Sequence, residues 1–101
     1  MSTPTKTSQT AAKVLDVLAA LLGHFAHGLT PTDLSKATGL DPSAITRYVA
    51  TLEEKGFAER IPETGRIRPS VQFARHAVAV LRSLDAARER IENIQSRLTS
   101  H

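Results

Sequence analysis

A mainly α fold with one small β-hairpin, a winged helix-turn-helix followed by a long C-terminal dimerisation helix, is the class this sequence predicts. Three observations lead there. Two helix-start signals, Thr30-Pro31-Thr32-Asp33 and Asp41-Pro42-Ser43, stand on either side of Gly39 and mark two short helices joined by a tight turn. Two short alternating runs, at residues 57–61 and 66–68, flank a turn through Pro62, Glu63, Thr64 and Gly65, the pattern of a hairpin. Beyond Pro69, apolar residues recur in three- and four-residue steps as far as Leu98, the mark of a long helix.

The 101 residues suit one domain with extensions, and 41% apolar against 23% charged residues is the balance of an ordinary globular chain. A chain this short buries a modest share of its surface, so a second subunit is a natural source of further apolar contact. The absence of cysteine removes disulfides, thiolate metal sites and cysteine nucleophiles from consideration. The apolar run at 14–23 is broken by Asp16 and is too short for a membrane span, and residues 1–10 lack the apolar core of a secretory signal, so a cytoplasmic protein is expected. A net charge of +3 leans toward polyanionic partners only if the cations gather where a groove would lie.

Taken in order, residues 1–9 are small, polar and aperiodic, and are expected to be a disordered tail. The winged domain is expected over 10–69. Its first helix carries Val14, Leu15, Leu18, Leu21, Leu22 and Phe25 on one broad face. His24 and His27 fall in the turn between Gly23 and Gly28, with no nearby acid or cysteine to complete a metal site. Helix 2 starts with Thr30 as N-cap, Pro31 at N1 and Asp33 at N3, turns Leu34 and Ala37 inward, and stops at Gly39. Leu40 plugs the space before helix 3.

Helix 3 begins with Asp41 as N-cap and Pro42 at N1, and sends Ile45, Val49 and Leu52 to the core with Tyr48 at the edge. Its outward face is short: Ser43, Thr46, Arg47, Ala50 and Glu54. Short side chains allow close backbone approach, and hydroxyls with an arginine are the types that meet base edges and phosphates in a major groove. Gly56 ends the helix, and Arg66 and Arg68 are expected to share one face of the returning strand, on the side of that outward face. Ser70 can cap the last helix, expected over 70–101. There Ala77, Leu84, Ile91 and Leu98 occupy heptad a positions and Val80, Ala87 and Ile94 occupy d, a seam suited to a second copy of itself. Such a helix would be roughly 40 Å long, more than the small winged domain can cover.

The residues Gly28-Leu29-Thr30, Leu34, Thr38-Gly39-Leu40, Ser43, Ile45, Arg47, Thr51-Leu52, Gly56-Phe57 and Gly65-Arg66-Ile67-Arg68 resemble the DNA-binding domain of IclR-type transcriptional regulators over about 12–70. The resemblance implies a dimeric winged helix-turn-helix in which Ser43, Thr46 and Arg47 approach bases and phosphates beside the wing. Two features depart from that family. The chain stops at His101, where members usually continue into a ligand-binding domain, and Pro69 stands where a leucine is usual. No small-molecule effector and no cofactor are therefore expected, and the last helix is expected to replace the larger domain as the dimer contact.

The expected function is sequence-specific binding of double-stranded DNA by a homodimeric transcriptional regulator, with no catalysis. The candidate DNA-binding set is Ser43, Ala44, Thr46, Arg47, Thr51 and Lys55 from helix 3, with Arg66 and Arg68 from the wing. A protein–protein interaction module that has lost DNA binding is the alternative. An enzyme has little support: Glu53, Glu54, Glu59 and Glu63 lack a pocket signature, and the glycines fit turns rather than a phosphate loop.

Overall fold

The computed structural model describes residues 4–100; Met1, Ser2, Thr3 and His101, and with them the start of the expected tail, lie outside the described residues. The elements run α1 (Gln9–Leu22), α2 (Pro31–Thr38), α3 (Pro42–Glu54), β1 (Ala58–Arg60), β2 (Ile67–Pro69) and α4 (Val71–Thr99). Each helix starts where a side-chain oxygen can take up a free backbone N–H. Ser8 caps α1, Asp41 caps α3 and Ser70 caps α4. At α2 the cap is reciprocal: Thr30 Oγ1 accepts from the Asp33 N–H and Asp33 Oδ2 accepts from the Thr30 N–H, both at 3.1 Å. Gly39 then takes the left-handed conformation (φ 74°) that ends α2.

The three short helices pack against one another around Val17, Leu21, Leu34, Ile45, Val49 and Leu52, joined by Ala58 and Ile67 from the strands. Burial of each large side chain contributes about 1.5–3 kcal/mol. Two sequence expectations change here. The contact stripe of α1 is narrower than its apolar face and centres on Val17, which periodicity alone did not single out; Leu15 and Leu22 lie outside it and are exposed. Ala37 is also exposed, because α2 is two turns long and Leu34 alone carries its inward side, with Leu40 packing at the edge of the core.

The wing strands are antiparallel, with Ala58 opposite Pro69, Glu59 opposite Arg68 and Arg60 opposite Ile67. A third backbone segment joins them. Leu29 and Ile67 exchange both N–H···O bonds at 2.8 Å, so the residues before α2 extend the sheet on the far side of β2. This approach explains Gly28: its φ is +69°, and a Cβ there would lie 2.6 Å from the Ile67 carbonyl oxygen.

Helix α4 has no buried residue along its 29-residue length. Of its seam, Val80, Leu84, Ile91, Ile94 and Leu98 are between 49% and 79% exposed, Ala77 is exposed and Ala87 is half-buried. Only its root is fixed. Ser70 Oγ donates to the Gly56 carbonyl, the Ser70 N–H donates to the Phe57 carbonyl, and the Phe73 ring meets Phe57 edge-on at 5.4 Å.

Candidate nucleic-acid interface

The exposed side of α3 is made by Ser43, Thr46, Arg47, Ala50, Thr51 and Glu54, while Ile45, Val49 and Leu52 hold the helix to the core. Ala44 does not belong to this face. It is 7% exposed and packs inward beside Ile45, because the first turn of α3 lies against the body. Its N–H instead donates to Asp41 Oδ1 at 2.8 Å, which helps set the start of the helix.

The hydroxyls of this face have their protons engaged within the helix. Ser43 Oγ donates to Asp41 Oδ1, Thr46 Oγ1 to the Pro42 carbonyl and Thr51 Oγ1 to the Arg47 carbonyl. Outward they offer lone pairs and, for the threonines, methyl groups, which suit amino groups and thymine methyls on base edges better than phosphate oxygens. Arg47 supplies the donors. Its guanidinium carbon lies 5.7 Å from the centre of the Tyr48 ring, and it has no carboxylate within ion-pair distance among the described residues. The Ala44 N–H and the Ser43 hydroxyl hold the Asp41 carboxyl below its usual range, with Arg47 adding attraction, so a fixed anion stands at the start of the reading face.

Thr51 and Lys55 continue the Arg47 side of the helix toward its end. There, with Val14, Leu15, Leu18, Leu52 and Phe57, they line an open apolar groove of about 160 Å³ between α1 and α3. Glu53 pairs with Arg60 of β1 at 3.7 Å, a contact that ties the end of α3 to the wing.

The two wing arginines occupy different settings. Arg66 precedes β2, is exposed, and contributes to lowering the carboxyl of Asp33 after the two Thr30 hydrogen bonds, which places its charge near the start of α2. Arg68 lies within β2. Its Nε and Nη2 donate to Glu59 Oε2 at 3.1 and 2.8 Å, and its guanidinium stacks 5.3 Å from the centre of the Phe25 ring. The two wing arginines therefore differ in availability, Arg66 being exposed and Arg68 engaged by Glu59. Strand pairing starts only at Ile67, and cross-strand Glu59 draws Arg68 to itself.

Glu59 also reaches beyond the wing. Its other oxygen, Oε1, accepts from the Val71 N–H at 2.8 Å, and the Val71 N–H and then Arg68 hold its carboxyl below the usual range. The alternation of the hairpin could have paired Glu59 with Arg68. The bond to Val71 has no signal in the sequence, since it depends on where α4 leaves the wing.

Among the described residues no helix is long and apolar enough to cross a membrane, and no group of three or more His, Cys, Asp and Glu side chains could hold a metal ion. The model of the IclR helix-turn-helix domain matches residues 10–62, more than half of the 101-residue chain. The chain is also similar to the crystal structure of Pseudomonas aeruginosa HmgR, with a TM-score of 0.65 and 25% identity, over 75% of this chain and 31% of that one. It thus spans under a third of the length of HmgR. No curated protein matches it. With its paired helices and the family model in agreement over residues 10–62, and a hairpin following them, the chain belongs to the IclR family of DNA-binding transcription regulators.

Proposed function

We propose that the protein binds specific sites on double-stranded DNA as a homodimer and acts as a transcriptional regulator in the cytoplasm. The observation that carries this reading is the exposed stripe of Ser43, Thr46, Arg47 and Ala50 on a helix otherwise pinned to the core, with the Arg47 guanidinium outside any ion pair among the described residues. In this reading α3 enters the major groove, Arg47 makes a bidentate contact to guanine or a phosphate, and Ser43 and Thr46 face base edges. Thr51 and Lys55 lie closer to the DNA backbone. From the wing, Arg66 meets phosphates or the minor groove, and Arg68 serves by holding the wing through Glu59.

Dimerisation is assigned to α4, whose seam of Ala77, Val80, Leu84, Ala87, Ile91, Ile94 and Leu98 has no cover of its own among the described residues. A two-fold pair predicts an inverted-repeat site with half-sites about one or two helical turns apart. The test is selection of bound duplexes from a random pool, followed by titration of the enriched site with the parent and with Arg47→Ala. A palindrome should be enriched, and Arg47→Ala should lose about 1–3 kcal/mol on it. Equal binding by Arg47→Ala would remove α3 from the reading role. The apolar groove beside Thr51 and Lys55, with exposed Leu15 and Phe57 on its walls, favours a second reading as a protein-interaction module. That reading predicts no binding to random duplex even at low salt, where phosphate neutralisation is strongest.

A further inference from the structure

We propose that Glu59 is a positioning residue that locks the direction in which α4 leaves the wing, and that this lock sets the spacing between the two half-sites the dimer reads. The inference rests on the reading of α3 as a DNA-reading helix in a dimer joined through α4.

The root of α4 is held at two separate places. One is the end of α3: Ser70 Oγ donates to the Gly56 carbonyl at 2.6 Å, the Ser70 N–H donates to the Phe57 carbonyl at 2.9 Å, and Phe73 packs on Phe57. These contacts all converge on residues 56–57. By themselves they form a pivot, because bonds gathered at one point leave rotation about it cheap.

The second place is Glu59, on the middle residue of β1. One carboxylate oxygen receives Nε and Nη2 of Arg68 from β2, and the other receives the Val71 N–H at the first turn of α4. A single side chain therefore joins both strands of the wing to the helix. Charge-assisted bonds of this kind are short and directional, and with both oxygens occupied the carboxylate cannot turn without giving up one of its partners. Phe25, stacked on the Arg68 guanidinium, braces the same group from the α1 side. Two attachment points in place of one convert the pivot into a fixed joint.

The consequence for reading DNA follows from leverage. In a dimer held by α4, each winged body sits at the end of its joint. The pivot lies just past the C-terminal end of α3, whose 13 residues span roughly 20 Å, so a swivel of about 10° moves the N-terminal end of α3, which carries Ser43, by about 3.5 Å. That is about one base-pair step along the duplex. A body free to swivel would accept several half-site spacings, and a locked body would accept one.

The test compares the parent with Glu59→Ala and Glu59→Gln in two measurements. The chain has no cysteine, so spin labels can be placed on Lys36→Cys in α2 and Arg82→Cys in α4 without removing any native thiol. Unlabelled chain in excess confines the measured distances to one protomer. The parent should give one narrow distance, Glu59→Ala a clearly broadened one, and Glu59→Gln, which keeps an acceptor for Val71 but loses the charge on Arg68, an intermediate width. Circular dichroism confirms that each variant has kept its helices.

The second measurement titrates palindromes with constant half-sites and a varied spacer. Parent affinity should fall about tenfold when the best spacer changes by two base pairs, and for Glu59→Ala by less than about threefold, with the preferred half-site sequence unchanged. Distances as narrow in both variants as in the parent, or an unchanged spacer profile in Glu59→Ala, would overturn the proposal. Broadened distances with no palindrome bound by any form would leave the joint standing and remove the DNA reading on which its role depends.

Discussion

The winged body and α4 are stabilised in different ways. The body encloses Val17, Leu21, Leu34, Ile45, Val49 and Ile67 almost completely, and each of its helices is fixed by at least one neighbour. Helix α4 is the longest element and buries none of its residues. Most helical stability in proteins comes from packing of an amphipathic face, a contribution α4 does not draw from the body. A regular apolar pattern thus does not say whether its cover lies within the same chain. In the body the pattern is spent inside the fold; in α4 it stays available.

The largest effects should separate the two regions. Leu34→Ala should destabilise the body by about 2–5 kcal/mol in denaturant titration, since the side chain is fully enclosed. Leu84→Ala combined with Ile91→Ala should leave the unfolding of the dilute body unchanged while moving the sedimentation profile toward monomer. A comparable loss of body stability in the dilute double variant would break the distinction.

A backbone change sharpens it further. Gly28→Ala should cost about 2–3 kcal/mol, because an L residue is strained at its positive φ and the new Cβ meets the Ile67 carbonyl. Gly39 also has a positive φ but faces open space, so Gly39→Ala should cost less in the same titration, about 1 kcal/mol. Equal costs would mean that the Leu29–Ile67 bridge is not what makes Gly28 necessary.

The smallest effects concern the caps. Thr30→Ala should lower stability by about 1 kcal/mol, through loss of the bond from the Asp33 N–H to Thr30 Oγ1, while the backbone N–H at position 30 keeps Asp33 Oδ2 as its acceptor. The carboxyls of Asp33, Asp41 and Glu59 are all held below their usual range, by the Thr30, Ala44 and Val71 N–H groups first. Their contribution is therefore complete above the unfolded carboxylate pKa of about 4 and fades as pH falls through the depressed folded values. Denaturation midpoints should hold steady from neutral pH down to that region and drop below it. The drop should be only slightly shallower in Thr30→Ala, which loses the side-chain contribution but keeps the backbone N–H that lowers Asp33 most. A parent midpoint that fell between pH 7 and 5 would contradict this assignment.

Much of the body was legible in the sequence because its signals are local. Thr30, Pro31 and Asp33 announce α2, Gly39 ends it, and Asp41 with Pro42 announces α3. What the sequence hid depends on distance along the chain. Val17 was passed over because α1 is apolar over a broader face than it packs, and only the positions of α2 and α3 choose among its residues. Ala44 falls in the candidate DNA-binding set yet is buried, because helical spacing alone does not reveal how closely the first turn of α3 approaches the body. The two wing arginines read alike in sequence, yet strand pairing gives Arg68 a carboxylate opposite and leaves Arg66 before the strand. The candidate reading residues Ser43, Thr46 and Arg47 were visible because a short polar stripe opposite an apolar one needs no tertiary knowledge.

The backbone pairing of Leu29 with Ile67 bears on how the wing can vary. A lone two-stranded hairpin relies on its turn for register, so changing the turn endangers the pairing. Here β2 is gripped from both sides, by β1 and by the segment before α2. The tip through Pro62, Glu63, Thr64 and Gly65 is thereby relieved of that duty, and lengthening it costs only the slow growth of loop-closure entropy. Insertions or new charges there should leave the fold intact, which makes the tip the place where a designer could graft new preferences onto this scaffold.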